Sequence, residues 1–146
     1  MRKNSTRKNG GGFFSKSVDD KLYANASSGD LEKVKKALEN GANINKKHEG
    51  VTNPFLIFLN GTTPLMVASI YGYKDVVEYL LEKGADPKIK SKSGKTAEEY
   101  AKKSNQDEIV KMLKEASNSK NNNKKNNNND PKNVNMNGGR RKTRKH

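Results

Sequence analysis

The chain repeats itself at a spacing of 33 residues, and this internal repeat restricts its fold more than any other feature. A fixed period in the range of roughly 20 to 50 residues is typical of proteins built from stacked structural units. The period is visible as pairs of identical or similar residues: Gly61 and Gly94, Thr63 and Thr96, Ala68 and Ala101, Val76 and Ile109, Val77 and Val110, Leu80 and Leu113.

Local signals within residues 61–86 predict two helices separated by a turn. Proline suits the first position of a helix because the amide hydrogen that it lacks has no partner there, so Thr63-Pro64 predicts a helix start. Gly72 predicts a break, and Gly84 suits the position just after a helix end. The second helix carries an apolar stripe of Val76, Val77, Leu80 and Leu81. One such unit cannot cover its own apolar side, so neighbouring units are needed.

Residues 61–86 resemble an ankyrin repeat, with Thr-Pro-Leu at 63–65, Gly-Ala-Asp at 84–86 and the same period. The resemblance covers about residues 17–117, with repeats expected at about 17–45, 58–87 and 91–117. It implies an all-α fold, a solenoid of stacked helix–turn–helix units with β-hairpin loops. The first repeat lacks Thr-Pro-Leu and the third has Thr96-Ala97 in its place. Both are more polar on the outside, which suits capping repeats.

An insertion separates the first two repeats. A step of 43 residues, ten more than the period, pairs Gly29 with Gly72 and Gly41 with Gly84. The extra length falls at about 48–60, in an extended hairpin loop that contains the most apolar run of the chain, residues 55–59. These side chains either fold back onto the repeats or form an exposed apolar surface for a partner. Because the run does not alternate, at least two of its five side chains should face away from the stack.

The net charge of +14 lies almost entirely outside the repeats. Residues 17–117 contain 16 Lys, no Arg and 15 acidic residues, whereas 1–16 and 118–146 together carry +13. We predict that both of these basic tails are disordered, because they are too polar to bury a core. They are candidates for binding nucleic acid, an acidic protein or an anionic surface, and the last seven residues resemble a nuclear localisation signal. The candidate nucleic-acid-binding residues are Arg140, Arg141, Lys142, Arg144 and Lys145.

The residues needed for catalysis or metal binding are scarce. The chain has no cysteine, and its two histidines, His48 and His146, have no evident catalytic partner. We therefore predict a non-enzyme with no cofactor and no metal site. No signal peptide and no membrane-length apolar run is present in the sequence, so we expect an intracellular protein of the cytoplasm or nucleus.

The resemblance implies a protein partner, held on the concave side by hairpin tips and first helices, and a monomer. Tyr71 and Tyr73 have a second interpretation, which is packing at the turn between helices. The alternative function is a nucleic-acid-associated basic protein whose repeats are only a scaffold. The Asn- and Lys-rich tails resemble those of proteins from large AT-rich DNA viruses, which would favour a host protein as partner. The candidate partner-binding residues are Phe55, Phe58, Asn60, Thr62, Ile70, Tyr71, Tyr73, Lys92, Ser93 and Lys95.

Overall fold

The computed structural model describes residues 17–126, and this part of the chain forms α-helices and no β-strand. The helices form three consecutive pairs, which confirms the prediction of an all-α repeat fold. A short 3-10 helix, Ile57–Leu59, lies within the insertion. The α-helices are α1 (Val18–Ser28), α2 (Leu31–Glu39), α3 (Pro64–Tyr71), α4 (Lys74–Glu82), α5 (Ala97–Lys103) and α6 (Asp107–Asn126).

The helices stack in two layers. In one layer α3 contacts both α1 and α5, and in the other α4 contacts both α2 and α6. Within each pair the two helices also contact each other, so the apolar core runs through the whole stack. The apolar stripe predicted for the second helices faces this core, and its most deeply buried members are Val34, Val76, Val77, Leu80, Ile109 and Leu113.

Each first helix begins at a hydroxyl residue. The side chains of Ser17, Thr63 and Thr96 each accept the backbone N–H three residues later, which satisfies an amide that has no partner inside the helix. In the middle repeat Met66 replaces the acidic residue of a capping box, and its Sδ lies 3.4 Å from the Thr63 amide nitrogen. The predicted helix start at Thr63-Pro64 is confirmed.

Successive repeats approach each other closely at Gly61. This glycine has φ +77°, and a Cβ built on it would lie 2.7 Å from the backbone nitrogen of Lys92 in the next repeat. Gly94 lies one period further on with a similar φ of +79°, yet a Cβ there would have no neighbour within 4 Å. Gly61 is therefore required both by its backbone conformation and by the lack of space for a Cβ. Gly94 is required by its backbone conformation alone.

The insertion is not the β-hairpin that the sequence predicts. Its ends are joined by a single antiparallel bridge, in which His48 N–H donates to Thr62 O at 2.8 Å and Gly61 N–H donates to His48 O at 2.7 Å. Between these ends Asn53 forms a local turn, because its side-chain oxygen accepts the Phe55 N–H and its carbonyl accepts the Leu56 N–H, both at 2.9 Å. Such local hydrogen bonds compete with a strand ladder.

The C-terminal boundary also differs from the prediction. Helix α6 continues to Asn126, so the disorder predicted from residue 118 is wrong for 118–126. Residues 107–126 contain neither Gly nor Pro, and each residue added to an existing helix gains a hydrogen bond without a new nucleation cost. The predictions of disorder for 1–16 and for the rest of the C-terminal tail lie outside the described residues.

No helix in the described part of the chain is long and apolar enough to cross a membrane.

Candidate functional site

The insertion presents apolar side chains to solvent. Phe55 is 86% exposed and Phe58 is 44% exposed, and Leu56 and Ile57 between them are also exposed. Only Leu59, which is 6% exposed, folds back into the core. The prediction that at least two of the five side chains face away from the stack is confirmed. Contiguous exposed apolar surface is typical of interaction sites.

The base of the insertion is fixed to the first repeat by contacts of Tyr23. The rings of Tyr23 and His48 stack with centroids 4.1 Å apart. The Tyr23 hydroxyl lies 2.7 Å from Thr62 Oγ1, which in turn donates to Leu59 O at 2.6 Å. Burial raises the pKa of Tyr23 to about 12, and its hydrogen bond with Thr62 only partly offsets this.

Thr62 has no exposed surface, because these hydrogen bonds place it under the insertion. The prediction that it contacts a partner is therefore wrong, and the residue instead supports the base of the insertion.

A groove with a volume of about 500 Å³ lies between the insertion and the third repeat. It contains four of the residues predicted to bind a partner, namely one from the insertion, one from the end of α3 and two from the turn before α5. Three further residues belong to or follow α5 and were not predicted. The lining residues are Phe58, Ile70, Ser93, Lys95, Tyr100, Lys103 and Ser104.

Tyr100 joins the two walls of this groove. Its hydroxyl donates to Phe58 O at 3.0 Å. The hydroxyl oxygen of Tyr100 also lies 2.9 Å from both Ser91 Oγ and Ser93 Oγ. The residue is almost completely buried, so its hydroxyl needs such partners. One side chain of the third repeat therefore holds the insertion against the turn at 91–95.

Two of the residues missed by sequence reasoning follow from the period. A step of 33 residues leads from Ile70 to Lys103 and from Tyr71 to Ser104. The same step leads from the buried Val67 to Tyr100, so a tyrosine replaces an aliphatic core residue. Applying the repeat to the site would have found Lys103 and Ser104, whereas it marks Tyr100 only as a core position.

Tyr71 and Tyr73, predicted either to bind a partner or to pack at the turn between helices, differ in their surroundings. Tyr73 is half-buried and packs over Gly29, where an added Cβ would lie 2.6 Å from its ring. Tyr71 is 45% exposed, and its ring centroid is 6.3 Å from that of Tyr73. The packing interpretation therefore applies to Tyr73, whereas Tyr71 is accessible to a partner.

Asn60 and Lys92, also predicted to bind, lie at the tips of adjacent loops. Asn60 is half-buried, and its carbonyl oxygen lies 3.4 Å from the Lys92 amide nitrogen. The Lys92 ammonium is paired with Glu49 at 2.6 Å. Both residues therefore contact other loop residues instead of lining the groove.

Two lysines and no carboxylate line the groove in the described part of the chain. Neither Lys95 nor Lys103 has a carboxylate within 4.0 Å in the range 17–126. Glu98 pairs with Lys102 at 2.6 Å. Glu99 accepts hydrogen bonds from the backbone and side chain of Thr96, and these bonds lower its pKa. The charge of Lys95 also lowers the pKa of Glu99, although no ion pair within 4.0 Å joins these two residues in the range 17–126.

The predicted nucleic-acid-binding residues at 140–145 lie outside the described residues. In the described segment no group of three or more His, Asp or Glu side chains is arranged to hold a metal ion.

Comparison with known proteins places this chain among repeat proteins. A family model described as ankyrin repeats (3 copies) matches residues 22–127. Protein HOS4 of Saccharomyces cerevisiae is 33% identical over 126 residues, covering 71% of this chain and 12% of that protein. ARF GTPase-activating protein GIT2 of Homo sapiens is 33% identical over 100 residues, covering 68% of this chain and 12% of that protein. Ankyrin repeat and SAM domain-containing protein 6 of Rattus norvegicus is 33% identical over 94 residues, covering 63% of this chain and 10% of that protein.

The chain spans no more than about an eighth of the length of these relatives. The match therefore concerns the repeats alone, and ankyrin repeats mediate protein–protein interaction. The period, the two-layered helix stack and the family match agree, and the chain belongs to the ankyrin repeat family.

Proposed function

We propose that this protein is a non-enzymatic interaction module that holds a partner protein against the insertion and the adjoining groove. The observation that carries this proposal is the exposed apolar surface of the insertion, which continues into the groove through Phe58. Nothing in residues 17–126 covers Phe55, although its ring is among the most hydrophobic side chains available.

The energetic argument rests on the area that a partner would cover. Fully burying a Phe side chain contributes about 1.5–3 kcal/mol relative to leaving it in water. Aromatic side chains near the centre of an interface are also the residues whose removal most often weakens binding. Phe55 and Phe58, on one short segment, are therefore the residues on which binding should depend most.

The double substitution Phe55→Ser and Phe58→Ser should weaken partner binding by about 2 kcal/mol or more, close to a thirtyfold change. The melting temperature should change little, because the Phe55 ring contributes almost nothing to the core and Phe58 only part of its surface. The measurement is quantitative affinity capture from cell lysate with full-length protein, accompanied by a melting curve of each variant.

Val18→Ser is the matched control, because Val18 is also an exposed apolar residue but lies at the start of α1. Proteins captured equally by the wild type, this control and the double variant would contradict the proposal. A collapsed melting transition for the double variant would show instead that the two rings belong to the core.

The basic tails support a second function, which is electrostatic attachment to nucleic acid. The observation in its favour is the uneven charge, since all five arginines and a net charge of +13 lie in 1–16 and 118–146. The same tails support nuclear targeting, and their likeness to tails of large DNA virus proteins supports a partner from a host cell.

For the tails we expect affinity for duplex DNA to fall steeply with salt. Each neutralised phosphate contributes a slope of about −0.9 in log affinity against log salt, so the five basic residues at 140–145 should give about −4.5. Filter binding of the full chain over a range of salt concentrations measures the slope. Affinity that does not change with salt, or that survives substitution of all five by Gln, would argue against this function.

A further inference from the structure

We propose that the groove selects an acidic segment of the partner that carries an apolar side chain. This inference rests on the proposed function and names the chemistry of the segment that would be bound. Three observations lead to it. The floor of the groove is apolar, two lysines and no carboxylate line it in the described residues, and the chain's own tails are basic.

The floor of the groove is suited to apolar side chains. Phe58, Ile70 and Tyr100 come from the insertion, α3 and α5, so three separate elements contribute apolar surface to the groove. The hydroxyl of Tyr100 is turned to Phe58 O and two serines. A volume of about 500 Å³ lies within the range of roughly 300–1,000 Å³ that is usual for ligand-binding clefts.

The rim of the groove is suited to carboxylates. Lys95 and Lys103 line it, no acidic residue does, and neither lysine forms an ion pair within 4.0 Å in the described residues. Lys92 differs because Glu49 already neutralises it at 2.6 Å. Complementary charge accelerates encounter and suppresses partners of the wrong sign. The attraction should therefore select Asp or Glu on either side of the apolar residue.

The same charges disfavour the chain's own tails as occupants. Both 1–16 and 127–146 are strongly basic, and the second contains only one acidic residue, Asp130. Placing either segment beside Lys95 and Lys103 would bring like charges together, which is destabilising. A segment of another protein is the occupant that the charges favour.

The test uses the full chain and three pools of short fluorescent peptides with randomised sequence. One pool has Asp or Glu around a central Leu, the second has Asp or Glu around Ala, and the third has Gln or Ser around Leu. Binding is measured by fluorescence polarisation to the wild type and to two double variants, K95E/K103E in the groove and K111E/K114E on an exposed part of α6. Both variants change the net charge equally and leave the tails intact, so their difference reports on the groove.

We expect the acidic Leu pool to bind the wild type and K111E/K114E alike, and K95E/K103E about tenfold more weakly. The difference should shrink towards about 1 M salt, where charges are screened beyond a few ångströms. The acidic Ala pool should bind more weakly than the acidic Leu pool to the wild type.

Equal binding of the acidic Leu pool to the two double variants would overturn the inference, because general attraction to a basic protein would then explain it. Equal binding of the Gln/Ser pool would also overturn it. In either case loss of partner capture in the Phe55→Ser, Phe58→Ser variant would leave the proposed function standing. Retention of that capture would remove the proposed function as well.

Discussion

Leu65→Ala should lower the free energy of unfolding by about 3 kcal/mol, since large-to-small changes at buried leucines cost roughly 2–5 kcal/mol. Leu65 is 1% exposed and lies in α3, the helix that contacts α1, α4 and α5. Helix α3 is the middle helix of its layer, with one neighbour in each adjacent repeat. Urea denaturation followed by circular dichroism measures the change.

The loss should affect the whole domain instead of one repeat. Roughly three repeats are the minimum for a stable stack, so weakening the middle one removes a neighbour from each of the others. A domain of this size is stabilised by only about 5–15 kcal/mol, so 3 kcal/mol is a large part of its stability. Leu38→Ala, at a half-buried position of α2, is the matched control and should cost about 1 kcal/mol. Two separate transitions, or equal effects of the two substitutions, would contradict this account.

Gly61→Ala should destabilise the protein by about 3 kcal/mol, and Gly94→Ala by only about 1 kcal/mol. Both alanines would have to adopt a positive φ, which accounts for the smaller cost. At Gly61 the new Cβ would also meet the Lys92 backbone, which cannot rotate away as a side chain can. Thermal melting of the two variants separates the cost of a positive φ from the cost of the contact between the new Cβ and the Lys92 backbone.

If the two alanine variants melt at the same temperature, the close approach of the second and third repeats at Gly61 has no energetic importance. If Gly94→Ala is the less stable of the two, the assignment of the contact is wrong. Either result would be independent of the Leu65 experiment, because Gly61 lies outside the apolar core.

The parts of the fold that were predictable depend on local chemistry repeated at a fixed distance. Thr63-Pro64 starts a helix for reasons contained in two residues, and Gly72 ends that helix with φ +81°. The period then transfers these assignments to the third repeat without any knowledge of packing. The end of α6 was missed because the composition after residue 117 suggests disorder, whereas an existing helix continues at little cost.

The site was predictable only in part, because it depends on contacts between residues far apart in sequence. The conformation of the insertion is set by a local turn at Asn53 and by the bond between Tyr100 and Phe58, which are 42 residues apart. Thr62 lies at a loop tip in the repeat pattern, yet Tyr23 of the first repeat covers it. Neither contact is visible in a periodic pattern, since the insertion has no counterpart one period later.

The bond between Tyr100 and Phe58 has a thermodynamic consequence. One wall of the groove belongs to the insertion and the other to the third repeat, so the groove is complete only while the third repeat is folded. Terminal units of a repeat stack open more readily than internal ones, since they have a neighbour on one side only. A ligand that binds the closed groove and not the opened state stabilises the closed state in proportion to its concentration relative to its dissociation constant. Ligand binding to the groove therefore stabilises the folded third repeat, and opening of the third repeat lowers the affinity of the groove for its ligand.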